Sequence, residues 1–318
     1  MEYKEFLEAL KKGLEEYFGE SREVKRWEVT KVNLGKLDVL LISPKEENVS
    51  CATPTFYVRT YYHQYQDGKT MDELVQDIAE LYEMHSDDTD IGNLTKFFRS
   101  YEKVRDKIYF RLVNARKNQL MLKNIPHIEY LDLAMFFQIL AVNGADGIAS
   151  MRITNEMLEN WGVSLEELHR HAIENTERLF PARIEDLESA ILRIMCDCEA
   201  LSKVEAEVDE IWENRKWKPV LLSNQKGING FSTILYRDCL KDLAKRMNHN
   251  LFIVPSSVHE ALIFPATEDK QQIQELQKLL RNVNASEVSE EDFMSDEVYY
   301  YNLEKDILEI TRGDESYV

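Results

Sequence analysis

Residues 250–265 set polar chemistry against what reads as core. Two apolar runs, 251–254 and 261–264, enclose Pro255-Ser256-Ser257-Val258-His259-Glu260. If residues 261–264 form a strand, His259 shares a face with Ala261 and Ile263, and Glu260 shares the other with Leu262 and Phe264. Both faces are apolar, so at least one of the two polar side chains starts close to the interior and needs a partner. Two chemistries are open to such a set. Ser257, with Ser256 beside it, could be a nucleophile with His259 as its base, or His259 and Glu260 could act as an acid–base pair. Neither is complete, because no Gly-x-Ser-x-Gly elbow and no oxyanion loop accompanies it. The same residues also read as a hairpin turn, in which the serine hydroxyls satisfy backbone groups and His259 is a hydrogen-bonded strut. The structural reading is the preferred one.

Metal and nucleotide chemistry find less support. The second histidine of a zinc-protease helix is absent after His259-Glu260, since that position holds Ile263. Cys196 and Cys198 are separated by one residue and would point to different faces of a helix, as would His169 and His171. Gly68-Lys69-Thr70 resembles the end of a phosphate loop, but His63 stands where the first glycine belongs. No metal and no cofactor are expected. The aromatic stretches 56–65 and 299–301 read as sheet packing before they read as interface.

Charge narrows the partners. The 39 basic and 58 acidic residues of the 318-residue chain leave a formal charge of -19. Such a surface repels phosphate backbones, so direct nucleic-acid binding is disfavoured and a partner with a basic surface is favoured. Residues 72–90 hold eight carboxylates and residues 286–297 six, both without Lys or Arg. Solvated faces are the ordinary explanation, and an imitation of nucleic acid is the sharper one. The longest apolar run, 131–142, is about half a membrane span and is broken by Asp132 and Gln138, so no membrane segment is expected. The opening residues carry no signal-peptide pattern, and four scattered cysteines give no disulfide framework. A cytoplasmic setting follows as an expectation.

The elements that would position these residues alternate between short hairpins and helices. A helix is expected over 3–18, strands over 24–31, 37–42 and 55–62, and a helix from the capping box of Thr70 and Glu73 to about residue 84. Strands follow at 107–114, 130–142 and 148–153, with a turn at 143–147. A short helix runs from Thr154 to Gly162, and the capping box of Ser164 and Glu167 opens another to about residue 180. The strongest helical periodicity runs over 187–211. Strands at 220–224 and 230–236, a helix at 238–247, a helix at 268–283 and an edge strand at 298–301 complete the series. Hairpins between helices predict an α+β protein with antiparallel sheets, in which strand–strand–helix modules recur. Boundaries fall at 1–100, 101–217 and 218–318, packing as one or two domains.

Several stretches together resemble a bacterial, largely clostridial family of unknown function. They are Pro126-His127 with Leu131-Asp132-Leu133-Ala134, residues 153–163, residues 172–176, Leu222-Ser223-Asn224, residues 254–260 and residues 295–301. The Asn-Glu-x-Leu-x-x-Trp-Gly-Val element at 155–163 is also similar to part of a second uncharacterised bacterial family. The resemblance brings no activity, cofactor or site residue. A non-catalytic binding protein is therefore the leading expectation, with a hydrolase at Ser256, Ser257, His259 and Glu260 or a nucleic-acid mimic behind it.

Overall fold

A computed structural model describes residues 1–45, 55–85, 97–144, 148–187, 219–267, 269 and 271–311. The periodic stretch 187–211, all but its first residue, lies outside these residues, as do Cys51, Cys196 and Cys198 and the end of the first acidic run. The chain forms two units, Met1–Lys103 and Val104–Val318. The architecture is α+β, and every strand pairing among the described residues is antiparallel.

In the first unit, helix α1 (Tyr3–Phe18), α2 (Val58–Gln66) and α3 (Met71–His85) accompany strands β1 (Arg22–Lys31), β2 (Gly35–Pro44) and β3 (Thr55–Tyr57). Phe6, Leu7, Leu10 and Leu14 are fully buried along one stripe of α1 and join Leu40, Ile42, Leu74 and Ile78 in one core. Gly13 costs the helix about 1 kcal/mol relative to alanine. A Cβ there would stand 2.8 Å from Val75 of α3, so glycine is what lets the two helices meet this closely. The capping box forms: the Thr70 N–H donates to Glu73 at 2.8 Å and the Glu73 N–H to Thr70 Oγ1 at 3.3 Å. The strand expected over 55–62 stops at Tyr57, and α2 begins. Val58, Tyr61, Tyr62 and Tyr65 recur at steps of three and four and all pack on the core, a helical period that the β-favouring composition hides.

The second unit contains two sheets. One places β4 (Ile108–Asn114) beside β6 (Leu133–Asn143), whose far edge pairs with β5 (His127–Tyr130) and then β7 (Ile148–Arg152). The expected strand over 130–142 is thus two strands, because Leu131 and Asp132 turn the chain. Leu131 takes φ +56°, which costs a non-glycine residue about 1–2 kcal/mol. Helix α4 (Gln119–Leu122) follows β4, while α5 (Asn155–Trp161) and α6 (Leu165–Leu179) follow β7. Thr154 and Ser164 cap the latter two, accepting from Met157 and Glu167, and Gly162 ends α5 at φ +66°.

The outer edge of β4 is covered by side chains. Its Phe110 and Leu112 N–H groups donate to Thr176 Oγ1 at 3.0 Å and Ser232 Oγ at 3.1 Å, and Asn175 donates to the Ile108 carbonyl at 3.0 Å. Strand β5 has no such cover among the described residues and pairs only with β6.

The other sheet has the order β13-β12-β10-β11-β9-β8. Its strands are β8 (Ala182–Asp186), β9 (Val220–Asn224), β10 (Leu251–Ser257), β11 (Glu260–Pro265), β12 (Tyr299–Asn302) and β13 (Ile307–Ile310). It draws on both sides of residue 217. Residues 299–302, expected at an edge, lie between β10 and β13, which accounts for three consecutive buried tyrosines. Helix α7 (Cys239–Met247) and α8 (Gln272–Ser286) belong to the same unit, and α8 packs its Ile273, Leu276 and Leu280 with Phe252, Phe264 and Tyr300. The expected strand over 230–236 is instead a 3-10 helix, Gly230–Leu235, whose first five residues are all buried, so its pattern carries no period to read.

Gly230 is where this helix presses on the sheet. A Cβ there would collide with Ser223 Oγ and the His259 carbonyl and stand 2.7 Å from the Asn224 backbone nitrogen. Gly230→Ala should therefore destabilise the protein by about 3 kcal/mol or more, since backbone must move. Chemical denaturation of the variant beside the wild type measures it, and an unchanged midpoint would contradict the packing.

Candidate functional site

Ser256 to Glu260 form the turn between β10 and β11, with a register shift between Pro255 and Ser257. The side chains of Ser256, Ser257, His259 and Glu260 are half-buried, and only Val258 is fully enclosed. Ser256 Oγ donates to the Glu260 carbonyl at 3.2 Å and lies 3.5 Å from its carboxylate. Ser257 Oγ accepts from the His259 N–H at 3.0 Å. The imidazole is held at both nitrogens: the Asn229 N–H donates to Nδ1 at 3.2 Å, and Nε2 lies 3.2 Å from Asp292 Oδ1. An N–H donor at Nδ1 requires that nitrogen to be the acceptor, so the proton sits on Nε2 and points to Asp292. No ring lone pair is then directed at either serine, and the ring joins the turn to a segment 33 residues away.

That segment, residues 287–298, is most of the second acidic run, and it is strapped onto its own chain. The Val258 N–H donates to the Asp292 carbonyl at 2.8 Å, and Ser289 Oγ donates to Asp292 Oδ2 at 2.7 Å. Asn284 reaches the Ser295 carbonyl and Asp296 Oδ1, both at 2.9 Å. Ser295 is fully buried and donates to Asp132 Oδ2 at 2.6 Å, while Tyr299 donates to the other oxygen of the same carboxylate at 2.7 Å. Burial, then the charge of Asp132, keeps the Tyr299 phenol protonated well above its ordinary range. Burial brings the Arg111 guanidinium down to about 10, still charged at neutral pH, and Glu291 of the strap opposes that fall.

Where the strap meets the β5–β6 turn, a groove of about 1000 Å3 opens. The connection after β4 contributes Arg116, Lys117 and Lys123. Glu129 and Asp132 come from the β5–β6 hairpin, Asp296 and Glu297 from the strap. Leu122, Leu131 and Phe293 add apolar surface. The side chain of Leu131 is 41% exposed despite its strained backbone. Lys117 Nζ lies 4.2 Å from the centre of the Phe293 ring, a cation–π contact. Glu297 is held above the ordinary carboxylate range by partial burial, then by Asp132 and Asp296.

None of these residues was singled out as a site by sequence. Two signals were present: Asp132 interrupts the longest apolar run, and two stretches that carry the family resemblance, 126–134 and 295–301, meet at this groove. Among the described residues no group of three or more His, Cys, Asp or Glu side chains is arranged to hold a metal ion. No helix of the described residues is long and apolar enough to cross a membrane.

Two expectations follow. His259→Ala removes both ring contacts and should cost about 1–2 kcal/mol, a fall in Tm of about 2–6 °C; an unchanged melting curve would mean the ring holds nothing. For Glu297, a carboxyl raised above 4.5 in the folded protein binds its proton more tightly there than when unfolded. Its contribution to stability therefore falls as pH rises through that interval. Glu297→Gln should raise Tm at about pH 7 and leave it unchanged below about pH 4, which paired thermal melts at the two pH values decide.

No curated protein and no solved structure matches the chain. A family model described as a family of unknown function, DUF5688, matches residues 3–303. With nearly its whole length covered, the chain belongs to the DUF5688 family.

Proposed function

We propose that this is a non-catalytic binding protein whose site is the groove between the β5–β6 turn and the strap, and whose ligand is an extended polypeptide segment carrying basic residues. The observation that carries the reading is the groove itself, in which Glu129, Asp132, Asp296 and Glu297 share one space with Leu131 and Phe293. Four carboxylates lining one groove attract a cation, and the exposed Leu131 and half-buried Phe293 beside them give its stem a place to pack. The edge of β5 beside the groove favours a peptide over a small molecule. Among the described residues it is paired on one side only, and an open strand edge is how extended peptides are taken up by main-chain hydrogen bonds.

The bonding of His259 at both nitrogens lends no support to hydrolysis at Ser256, Ser257, His259 and Glu260. A mimic of nucleic acid needs carboxylates turned outward in a strip. In the second acidic run Asp292 and Asp296 are bonded within the chain instead.

A fluorescein-labelled peptide of alternating lysine and leucine serves as probe, read by fluorescence anisotropy. Neutralising Glu129 and Glu297 together, as Glu129→Gln/Glu297→Gln, should weaken it about tenfold, or about 1.4 kcal/mol. Neutralising Glu174 and Glu304 in the same way, exposed residues of the same unit that do not line the groove, should change it less than about twofold, because exposed charges outside a site are screened. Equal losses in the two variants would mean general attraction to an acidic protein, and the site would be withdrawn.

A further inference from the structure

We propose that the segment held in the groove carries its charge in two blocks, a basic block read by the carboxylates of the hairpin and strap and an acidic block read by Arg116, Lys117 and Lys123. This rests on the reading of the groove as a peptide site and names what distinguishes its ligand from any basic peptide.

Charge in the groove is sorted by element. The connection between β4 and β5 contributes three cations to the lining and no anion. The β5–β6 hairpin and the strap contribute four anions and, apart from His127, no basic side chain. Elsewhere, side chains of opposite charge that come within reach of one another pair: Arg26 with Asp38 at 2.9 Å, Arg183 with Glu185 at 2.8 Å, Lys241 with Asp306 at 2.6 Å. Among the described residues, the groove cations make no such pair with the groove anions, although all line one space. Lys117 lies over the Phe293 ring, and the mutual repulsion of Asp132, Asp296 and Glu297 is left standing.

Charges of both signs that line one groove without forming ion pairs with one another complement a ligand that brings both signs to it. A wholly basic segment gains at the carboxylates and loses against Arg116, Lys117 and Lys123. A wholly acidic one does the reverse, so each set of residues rejects what the other attracts.

The test compares two labelled peptides of equal length by anisotropy. One carries a lysine block, a leucine spacer and a glutamate block; in the other every glutamate is glutamine. The two-block peptide should bind at least about tenfold more tightly than the lysine-only peptide. In the exposed-surface variant Arg116→Gln/Lys123→Gln that preference should fall below about twofold, with the lysine-only peptide bound at least as well as by the wild type. Equal binding of both peptides to the wild type, with Glu129→Gln/Glu297→Gln still weakening both, would overturn the two-block ligand and leave the groove as a site for basic peptides. A preference that survives Arg116→Gln/Lys123→Gln would likewise overturn it. Failure of either peptide to respond to any groove variant would remove the groove reading along with it.

Discussion

Both oxygens of one carboxylate, Asp132, are spoken for by hydroxyls more than 160 residues further along the chain. Ser295 and Tyr299 donate to it from the strap and from β12, second in the order of the larger sheet, so a single acidic side chain in a two-residue turn fastens the four-stranded sheet to the six-stranded one. Hydrogen bonds to a charged acceptor are worth about 1.5–3 kcal/mol each, and two of them converge here with a fully buried partner. The strained Leu131 stands next in sequence. Its backbone cost is tolerated because it places the Asp132 carboxylate where both donors can reach it, and the same turn leaves the leucine side chain at the rim of the groove.

The strap is the second consequence. Six carboxylates in twelve residues would ordinarily remain in water. Here Asp292 meets the imidazole of His259, Asp296 accepts a hydrogen bond from the Asn284 amide, and Met294 and Ser295 are buried between them. An acidic segment can lie on a sheet in this way because each of these contacts replaces a water hydrogen bond with one to the protein. The turn at Ser256–Glu260 thereby becomes an anchor for the segment that walls the groove, although its own residues do not line that groove.

Local signals in the sequence were legible and distant ones were not. Thr70 with Glu73, Thr154, and Ser164 with Glu167 announce helix starts through bonds spanning three residues, and all three form. The α+β class with antiparallel pairing also follows from hairpins set between helices. Residues 58–65 misled because valine, threonine and tyrosine favour strands, while their burial follows a period of three and four. Residues 230–234 are all buried and so carry no period at all. The turn at Leu131-Asp132 has neither glycine nor proline to mark it. As for the site, His259 stood out because polar residues beside an apolar run are locally visible. Its partner Asp292 and the meeting of residues 114–132 with 293–297 depend on tertiary pairing that no local pattern encodes.

The position of β12 has a bearing on how the molecule comes into being. Until residues 299–302 slot between β10 and β13, β10 has a bare flank and Asp132 lacks the phenol that completes its shell. The groove cannot take shape from the 114–132 segment alone, however early that segment emerges from the ribosome. A chain stalled short of Ser295 would lack Asp296, Glu297 and both hydroxyls that hold the Asp132 carboxylate, so Arg116, Lys117 and Lys123 would face only Glu129 and Asp132 of the hairpin.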